Sequence, residues 1–348
     1  MSVTVRQRPG IYSDYKTSSI SWSQGKGKAV GIVASCDAET NKAFYITKLS
    51  DVDSCFGSSG NMYELCKLAL LNGAMKVVAV SVGTQESKDY QAAFEVLENE
   101  KDIYVVISDS ESITVHNYLK NSVLASSQNL KERIGIIACS SDADAETWAD
   151  NFNSERLILI AQNPMDEESN SLSGNFIAAA LAGLIASTSD PSYSFNSVQL
   201  NGIKKLSASL TEDDIDSYIL SGITPFEVVL ENAEIIRLVT SKNTTDGVQD
   251  NTFKDINTIL IIDEVIPGLR SLLKSKISGA KNNSITRSSL ITQTIIELEK
   301  YKEMELIDSY DYPTVTQSTD DPTVCTISVS FTILHALNQI IISADISI

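Results

Sequence analysis

The sequence IYVVI at residues 103–107 is a continuous apolar run, in which the hydroxyl of Tyr104 is the one polar side-chain group. A strand with one face in water alternates apolar and polar residues, so a continuous apolar run indicates a strand that is covered on both faces. Similar runs occur on either side of this one, at residues 29–34, 76–82, 133–139 and 157–161. The five runs predict a mostly parallel or mixed sheet with helices packed on both faces.

The segments between these runs have the periodicity of helices. Residues 51–72 fit a helix that is interrupted around Gly57 and Gly60. Further helices are expected at residues 89–98, 112–126, 144–151 and 174–186. Residues 226–230 and 235–240 resemble a hairpin that ends the region. We therefore predict an α/β domain over residues 26–240.

The polar stretch at residues 241–251 breaks this alternation, and two helices are expected beyond it, at about 253–278 and 284–307. Gly279 is a candidate C-cap of the first helix and Ser284 a candidate N-cap of the second. Pro267 predicts a kink or a new first turn. A loop at 308–322 then leads into the last strands, so residues 250–348 predict a smaller α+β domain.

The C-terminal 25 residues alternate apolar and polar side chains in two runs. The first run, at residues 325–333, predicts a half-buried strand. The second run places four apolar residues on one face, namely Ile342, Ala344, Ile346 and Ile348. An apolar edge strand without Pro or Lys is a template for another chain. We interpret this end as a segment that pairs with a neighbouring subunit.

The other end of the chain also predicts an extended segment. Its apolar residues are Val3, Val5, Ile11 and Tyr12. Residues 13–28 are rich in Ser, Thr, Gly and Lys, which predicts a flexible connector with Gly25 and Gly27 as its hinge. Residues 1–25 are thus an arm and linker, although a strand added to the chain's own sheet fits the pattern as well. No apolar run near the start suggests a secretory signal.

The net charge of −18 argues against nucleic acid and anionic membranes as partners. The charge is uneven, because residues 1–28 carry +4 and residues 265–296 carry +5, which leaves −27 for the rest. The second basic segment contains Arg270, Lys274, Lys276 and Lys281. Lys274 and Lys281 are seven residues apart and would share a helix face if the helix extended that far.

Motifs for catalysis and for cofactors are missing from the sequence. There is no dinucleotide or P-loop glycine motif, no GxSxG and no HExxH. The two histidines, His116 and His335, fit a helix and a turn. The five cysteines lack a CxxC pair and predict buried free thiols in a reducing cytosol. We expect no catalytic, metal or cofactor site, and the acidic cluster after Thr211 is best read as a helix cap.

An ordered series of short motifs runs along the chain and begins with RPGIY at residues 8–12. The series continues with VGIVA at 30–34, ITKLSDV at 46–52, CFG at 55–57, the strand at 76–82, an apolar helix around 256–273, Gly-Ala at 279–280 and the final sheet. This series resembles the contractile tail sheath proteins of phages and R-type bacteriocin particles, whose start has the similar motif PGVY. The chain is shorter than many members of that family, which carry additional surface domains.

The resemblance implies a structural subunit, with no enzymatic activity, that polymerises helically around an inner tube. Both termini would be exchanged with neighbours as strands, and contraction would drive the tube through a target envelope. Implied partners are further copies, the inner tail tube protein, and baseplate and tail terminator proteins. The basic segment is then a candidate tube-facing surface. Assembly in the bacterial cytoplasm and release as a phage tail or tail-like particle would follow.

Two other functions also fit the sequence. One is an α/β enzyme with a dispersed active site, and the other is a different self-assembling protein, such as a shell or surface-layer subunit.

Overall fold

A computed structural model gives the fold and describes residues 28–83, 86–139, 145–277 and 280–338. Its main sheet has six strands, β1 (Ala29–Ser35), β2 (Ala43–Ile46), β3 (Val77–Val82), β4 (Ile103–Ser108), β5 (Ile134–Ala138) and β6 (Leu157–Ile160). Their order in the sheet is β2-β3-β1-β4-β5-β6. All neighbours pair in parallel except β2, which runs antiparallel to β3 at one edge. The predicted mostly parallel sheet is confirmed.

Six helices surround this sheet in two layers. They are α1 (Leu49–Phe56), α2 (Asn61–Leu71), α3 (Ser87–Asn99), α4 (Ile113–Gln128), α5 (Ala145–Phe152) and α6 (Asn175–Ser187). One core cluster lies between the sheet and the layer of α2 and α6, and the other lies under α3, α4 and α5. Because both faces are covered, every residue of β3, β4, β5 and β6 is buried.

A three-stranded sheet and a capped helix follow α6. They comprise β7 (Gln199–Leu200), α7 (Glu212–Ser221), β8 (Phe226–Val229) and β9 (Asn232–Ile235). Thr211 caps α7 as expected, in a capping box with Asp214. The second hairpin strand lies earlier than predicted, because Leu230 and Glu231 form the turn at φ values of 49° and 64°. Tight hairpin turns of this kind usually carry Asn-Gly, so the pair Leu230-Glu231 is no turn signal.

The short hairpin β10 (Thr244–Thr245) and β11 (Val248–Gln249) leads to two long helices, α8 (Ile256–Ile277) and α9 (Ser284–Glu303). Pro267 lies inside α8 and does not begin a new helix. The N-cap of α9 is Asn283 rather than Ser284, since the Asn283 side chain accepts a hydrogen bond from the Thr286 amide at 2.8 Å. Gly279 lies outside the described residues.

The chain then forms a long interrupted hairpin. Its strands are β12 (Ile307–Tyr310), β13 (Thr314–Gln317), β14 (Cys325–Ser328) and β15 (Phe331–Ile333), paired as β12–β15 and β13–β14. The single strand expected over residues 325–333 is therefore wrong, because it is broken at Val329 and Ser330. The two registers leave residues 311–313 opposite this break, and Pro313 among them lacks the amide that would continue a ladder.

The helix α8 belongs to both hydrophobic cores. Ile256, Ile259 and Leu260, in its first turns, pack into the core of the main sheet. Ile261, Val265 and Leu269 pack instead with α9 and the β12–β15 pair, in a third cluster. We refer to α8, α9 and the strands β12–β15 as the C-terminal unit. One continuous helix thus joins it to the α/β layers.

Candidate assembly surface

The arm residues Val3, Val5, Ile11 and Tyr12, the hinge glycines Gly25 and Gly27, and the strand residues Ile342, Ala344, Ile346 and Ile348 lie outside the described residues. The candidate assembly surface therefore consists of the basic segment and the described part of the C-terminal region.

The four basic residues do not form one helix face. Lys274 and Lys276 are exposed on the last turn of α8, where the negative end of the helix dipole favours cations. The helix ends at Ile277, so Lys281 lies in the connection to α9 and the shared face with Lys274 does not form. Arg270 is already neutralised by an ion pair, since its Nη1 lies 2.9 Å from the Glu132 Oε1.

We call Lys274, Lys276 and Lys281 the basic corner. Within the described chain, none of the three has a carboxylate oxygen within 4 Å. Five other lysines of the described chain are paired with a glutamate, namely Lys42, Lys67, Lys88, Lys204 and Lys300. The basic corner therefore presents unneutralised positive charge on a chain whose net charge is −18. Such a surface suits an acidic partner.

The C-terminal unit buries little of its own apolar surface. In α9, only Thr294, Leu298 and Tyr301 are buried along 20 residues, and Ile285 and Ile296 are 79% and 56% exposed. The strands β13, β14 and β15 contain no fully buried residue among those described. A two-stranded ribbon is marginally stable at best without further packing. This unit has the apolar area and the open strand edges that an added strand would cover.

Charged groups also join α8 to the main sheet. Arg156 makes two bonds to Asp263, Nη1–Oδ2 at 2.9 Å and Nη2–Oδ1 at 2.8 Å, and the Tyr104 hydroxyl donates to Asp263 Oδ2 at 3.3 Å. Arg270 and Glu132 form a second pair along the same helix. These long-range pairs were not predicted, since no local pattern in the sequence marks them.

The groups that could suggest catalysis are held in structural contacts. His116 is buried, its Nε2 lies 2.7 Å from the Ser110 carbonyl oxygen, and burial lowers its pKa to about 4. His335 is exposed after β15. At the ends of β1 and β4, Asp109 accepts hydrogen bonds from the Ser35 and Tyr90 hydroxyls at 2.9 and 2.6 Å. Over the described ranges, no three His, Cys, Asp or Glu side chains are grouped as metal ligands.

The cysteines are all free thiols. Cys66 and Cys139 are buried, and burial raises the pKa of the Cys66 thiol to about 12. Cys36, Cys55 and Cys325 are half-buried, so the expectation of buried thiols holds for two of the five. None of the helices in the described segments has the length and apolarity to cross a membrane.

Two family models match the sequence. The model of the phage tail sheath protein central domain matches residues 83–244, and that of the phage tail sheath C-terminal domain matches residues 248–347. No curated protein gives a significant match to the chain.

Solved structures of sheath proteins share this fold at low sequence identity. The helical sheath of the anti-feeding prophage in its contracted state has a TM-score of 0.75 at 15% identity, covering 98% of this chain and 99% of that chain. A sheath tail protein from Desulfitobacterium hafniense has a TM-score of 0.69 at 12% identity, with coverages of 93% and 100%. One from Listeria innocua has a TM-score of 0.67 at 12% identity, with coverages of 90% and 96%.

Proposed function

The chain belongs to the contractile tail sheath family and is a structural sheath subunit, and from this premise we propose that it polymerises helically around an inner tail tube. Contraction of the polymer then drives the tube through the envelope of a target cell. The particle is a phage tail or a related contractile injection system such as an R-type bacteriocin. The observation that carries the proposal is the C-terminal unit, which leaves its helices and strand edges only partly covered.

Strand exchange between subunits would cover that unit. The segment containing Ile342, Ala344, Ile346 and Ile348 is one donated strand, and the arm containing Val3 and Val5 is the other, as in β-strand addition. Burial of the three isoleucines contributes roughly 5–9 kcal/mol at about 1.5–3 kcal/mol each. Ordering about nine residues costs a comparable amount. Each joint is therefore weak by itself, and repetition along the polymer provides the strength.

The subunit moves as a nearly rigid body during contraction, and the linker with Gly25 and Gly27 supplies the flexibility. The support for rigidity is α8, whose residues pack in two cores and whose Asp263 is held by Arg156. In terms of organisation, residues 1–25 form the arm and linker, residues 26–240 the α/β domain, and residues 250–348 the C-terminal domain. The domains would move together and the connections between subunits would bend.

The basic corner faces the inner tube, with Arg270 beside it. Lys274, Lys276 and Lys281 supply unpaired positive charge, which requires an acidic tube surface. The strongly acidic remainder of the chain would lie mostly towards the outside. Further partners are copies of this chain, the baseplate and the tail terminator. No step of this mechanism uses a nucleotide, nucleic acid or a membrane-bound state, and assembly takes place in the bacterial cytoplasm before release.

Electron microscopy of the purified full chain, beside a version lacking residues 1–20, tests the proposal. Long hollow tubes from the full chain and only monomers from the truncated chain are expected, because the arm would be needed to link subunits. A compact monomer or dimer from both versions at every concentration would contradict the proposal.

A further inference from the structure

Lys28 is packed against the body of the subunit, although it is the last residue of the flexible connector predicted at residues 13–28. Its Nζ lies 4.6 Å from the centroid of the Tyr104 ring. The Tyr104 hydroxyl donates to the Asp263 carboxylate on α8, which Arg156 also holds. The Ala29 amide also donates to the Asp102 carbonyl at 2.8 Å, which fixes the adjoining backbone. The N-terminal segment therefore leaves the body at a defined point beside α8.

Asn338, the last described residue, is also hydrogen-bonded to the body of the subunit. Its Oδ1 accepts from Asn196 Nδ2 at 2.9 Å, and its Nδ2 donates to Asp255 Oδ2 at 3.3 Å. Asp255 directly precedes α8 and is held by Arg237, with Nε–Oδ1 at 2.9 Å and Nη2–Oδ2 at 3.1 Å. After β15 the chain thus returns from the C-terminal unit to the α/β layers.

Lys28 and Asn338 are thus both connected to carboxylates at α8. Lys28 is connected through Tyr104 to Asp263 within the helix, and Asn338 bonds Asp255, the residue that precedes the helix. These two carboxylates are eight residues apart, which corresponds to about 12 Å along a helix axis. Each carboxylate is held by an arginine of the α/β layers, so both exits are tied to the same part of the subunit.

We propose that Lys28 and Asn338 are positioning residues that fix where the two linking arms leave the subunit, with α8 holding the two exits at a constant separation. This inference rests on the proposed function. In a polymer linked through both arms, the distance between exits contributes to the spacing of neighbours. If one of these contacts is lost, the fold of the subunit stays intact, but the arm leaves the subunit in a wider range of positions. The position that links it to a neighbouring subunit is then populated less often.

The test compares full-length variants in the concentration needed for half of the protein to assemble. Lys28→Met keeps the aliphatic length and removes the cation from Tyr104, and Asn338→Leu removes both amide hydrogen bonds. Each is expected to raise that concentration by roughly 3- to 10-fold, the scale of one or two lost hydrogen bonds. Thermal unfolding of the unassembled subunit should move by less than about 2 °C.

Matched controls separate the anchors from general effects. Lys42→Met removes a lysine that lies 5.6 Å from the Phe44 ring, away from both exits, and Asn117→Leu removes an exposed amide that bonds Ile113. Both should assemble like the original chain, and Lys28→Arg should restore assembly because it keeps the cation over the ring.

The possible failures can be told apart. If the original chain forms no tubes, both the proposed function and this inference fail. If the original chain and the anchor variants assemble at the same concentration, only the inference fails. An assembly defect that is matched by an equal loss of subunit stability, and is not restored by Lys28→Arg, would also overturn it.

Discussion

Arg156 and Asp263 form a bidentate ion pair between the start of β6 and the middle of α8, with bonds of 2.9 and 2.8 Å. Only 2% of the Asp263 side chain is exposed, and 12% of the Arg156 side chain. The two residues are 107 positions apart in the sequence. The pair therefore ties the α/β layers to the helix that supports the C-terminal unit, and its loss affects the connection between them.

Removing one member of this pair should destabilise the subunit strongly. Asp263→Ala leaves the Arg156 guanidinium in a mostly buried place without its carboxylate, which costs about 3–5 kcal/mol of unfolding free energy. Urea denaturation of the unassembled subunit measures this loss. The double variant Arg156→Met with Asp263→Leu should lose much less, since no buried charge is left unpaired. Equal losses for the single and double variants would contradict the expectation.

The stability of the subunit should fall on mild acidification because of His116. Burial lowers its pKa to about 4 from the ordinary 6.5, so the unfolded chain binds a proton at a higher pH than the folded chain does. The contribution of neutral His116 to the free energy of unfolding is therefore fully present above pH 6.5 and is lost as the pH falls towards about 4. A shift of that size corresponds to about 3 kcal/mol at most.

Denaturation curves between pH 7 and 5 measure this effect. His116→Leu should remove the slope in that interval, whatever its effect on stability at pH 7. His335→Gln is the control, because His335 is exposed, and it should retain the slope. A slope that is unchanged in His116→Leu would show that another group is responsible.

The parts of the fold that could be predicted from sequence are those with a strong local pattern. The five parallel strands each have a continuous apolar run, and their predicted bounds agree with the structure to within two residues. The edge strand β2 was missed because it has only four residues, one of which, Tyr45, is 55% exposed. The hairpin turn at Leu230 and Glu231 was missed because neither residue favours positive φ.

The assembly surface could be predicted only in part, for a similar reason. The sequence showed which residues are basic, but it could not show that Arg270 pairs with Glu132, 138 positions away. The end of α8 was predicted at about residue 278 and lies at Ile277, so the face that Lys274 and Lys281 would share in a longer helix does not form. The contacts of Lys28 and Asn338 join residues that are 76 or more positions apart in the sequence. No periodic pattern in the sequence marks such contacts, so they could not be predicted.

The close approach of α2 and α6 requires a glycine at position 183. A Cβ built on Gly183 would collide with the carbonyl oxygen of Ala69 and lie 2.9 Å from its carbonyl carbon, so the helix backbones would have to separate. Gly183→Ala should therefore lower the unfolding free energy by about 1–3 kcal/mol, even though alanine favours helices. Ser187→Ala, on the exposed end of the same helix, should be neutral or slightly stabilising in the same urea titration.

Reversal of charge at the basic corner should block assembly on the tube while the fold is retained. Lys274→Glu with Lys276→Glu places negative charge at the end of α8, which costs about 0.3–1 kcal/mol of stability per residue through the helix dipole. On a tube with an acidic surface, however, attraction becomes repulsion, so we expect at least a tenfold loss of sheath-covered tubes after co-expression with the tube protein. Electron microscopy counts those tubes directly.

A matched control is available at the end of α9. Lys300 and Lys302 occupy its last turn, so Lys300→Glu with Lys302→Glu changes the charge by the same amount at the same kind of helix position. This control also removes the ion pair of Lys300 with Glu297, at 2.9 Å, so it should lose at least as much stability and still cover the tube. Since attraction between exposed charges is screened by salt, coverage by the original chain should also fall as ionic strength rises. Equal coverage by the basic-corner variant and the original chain would place the tube against another surface of the subunit.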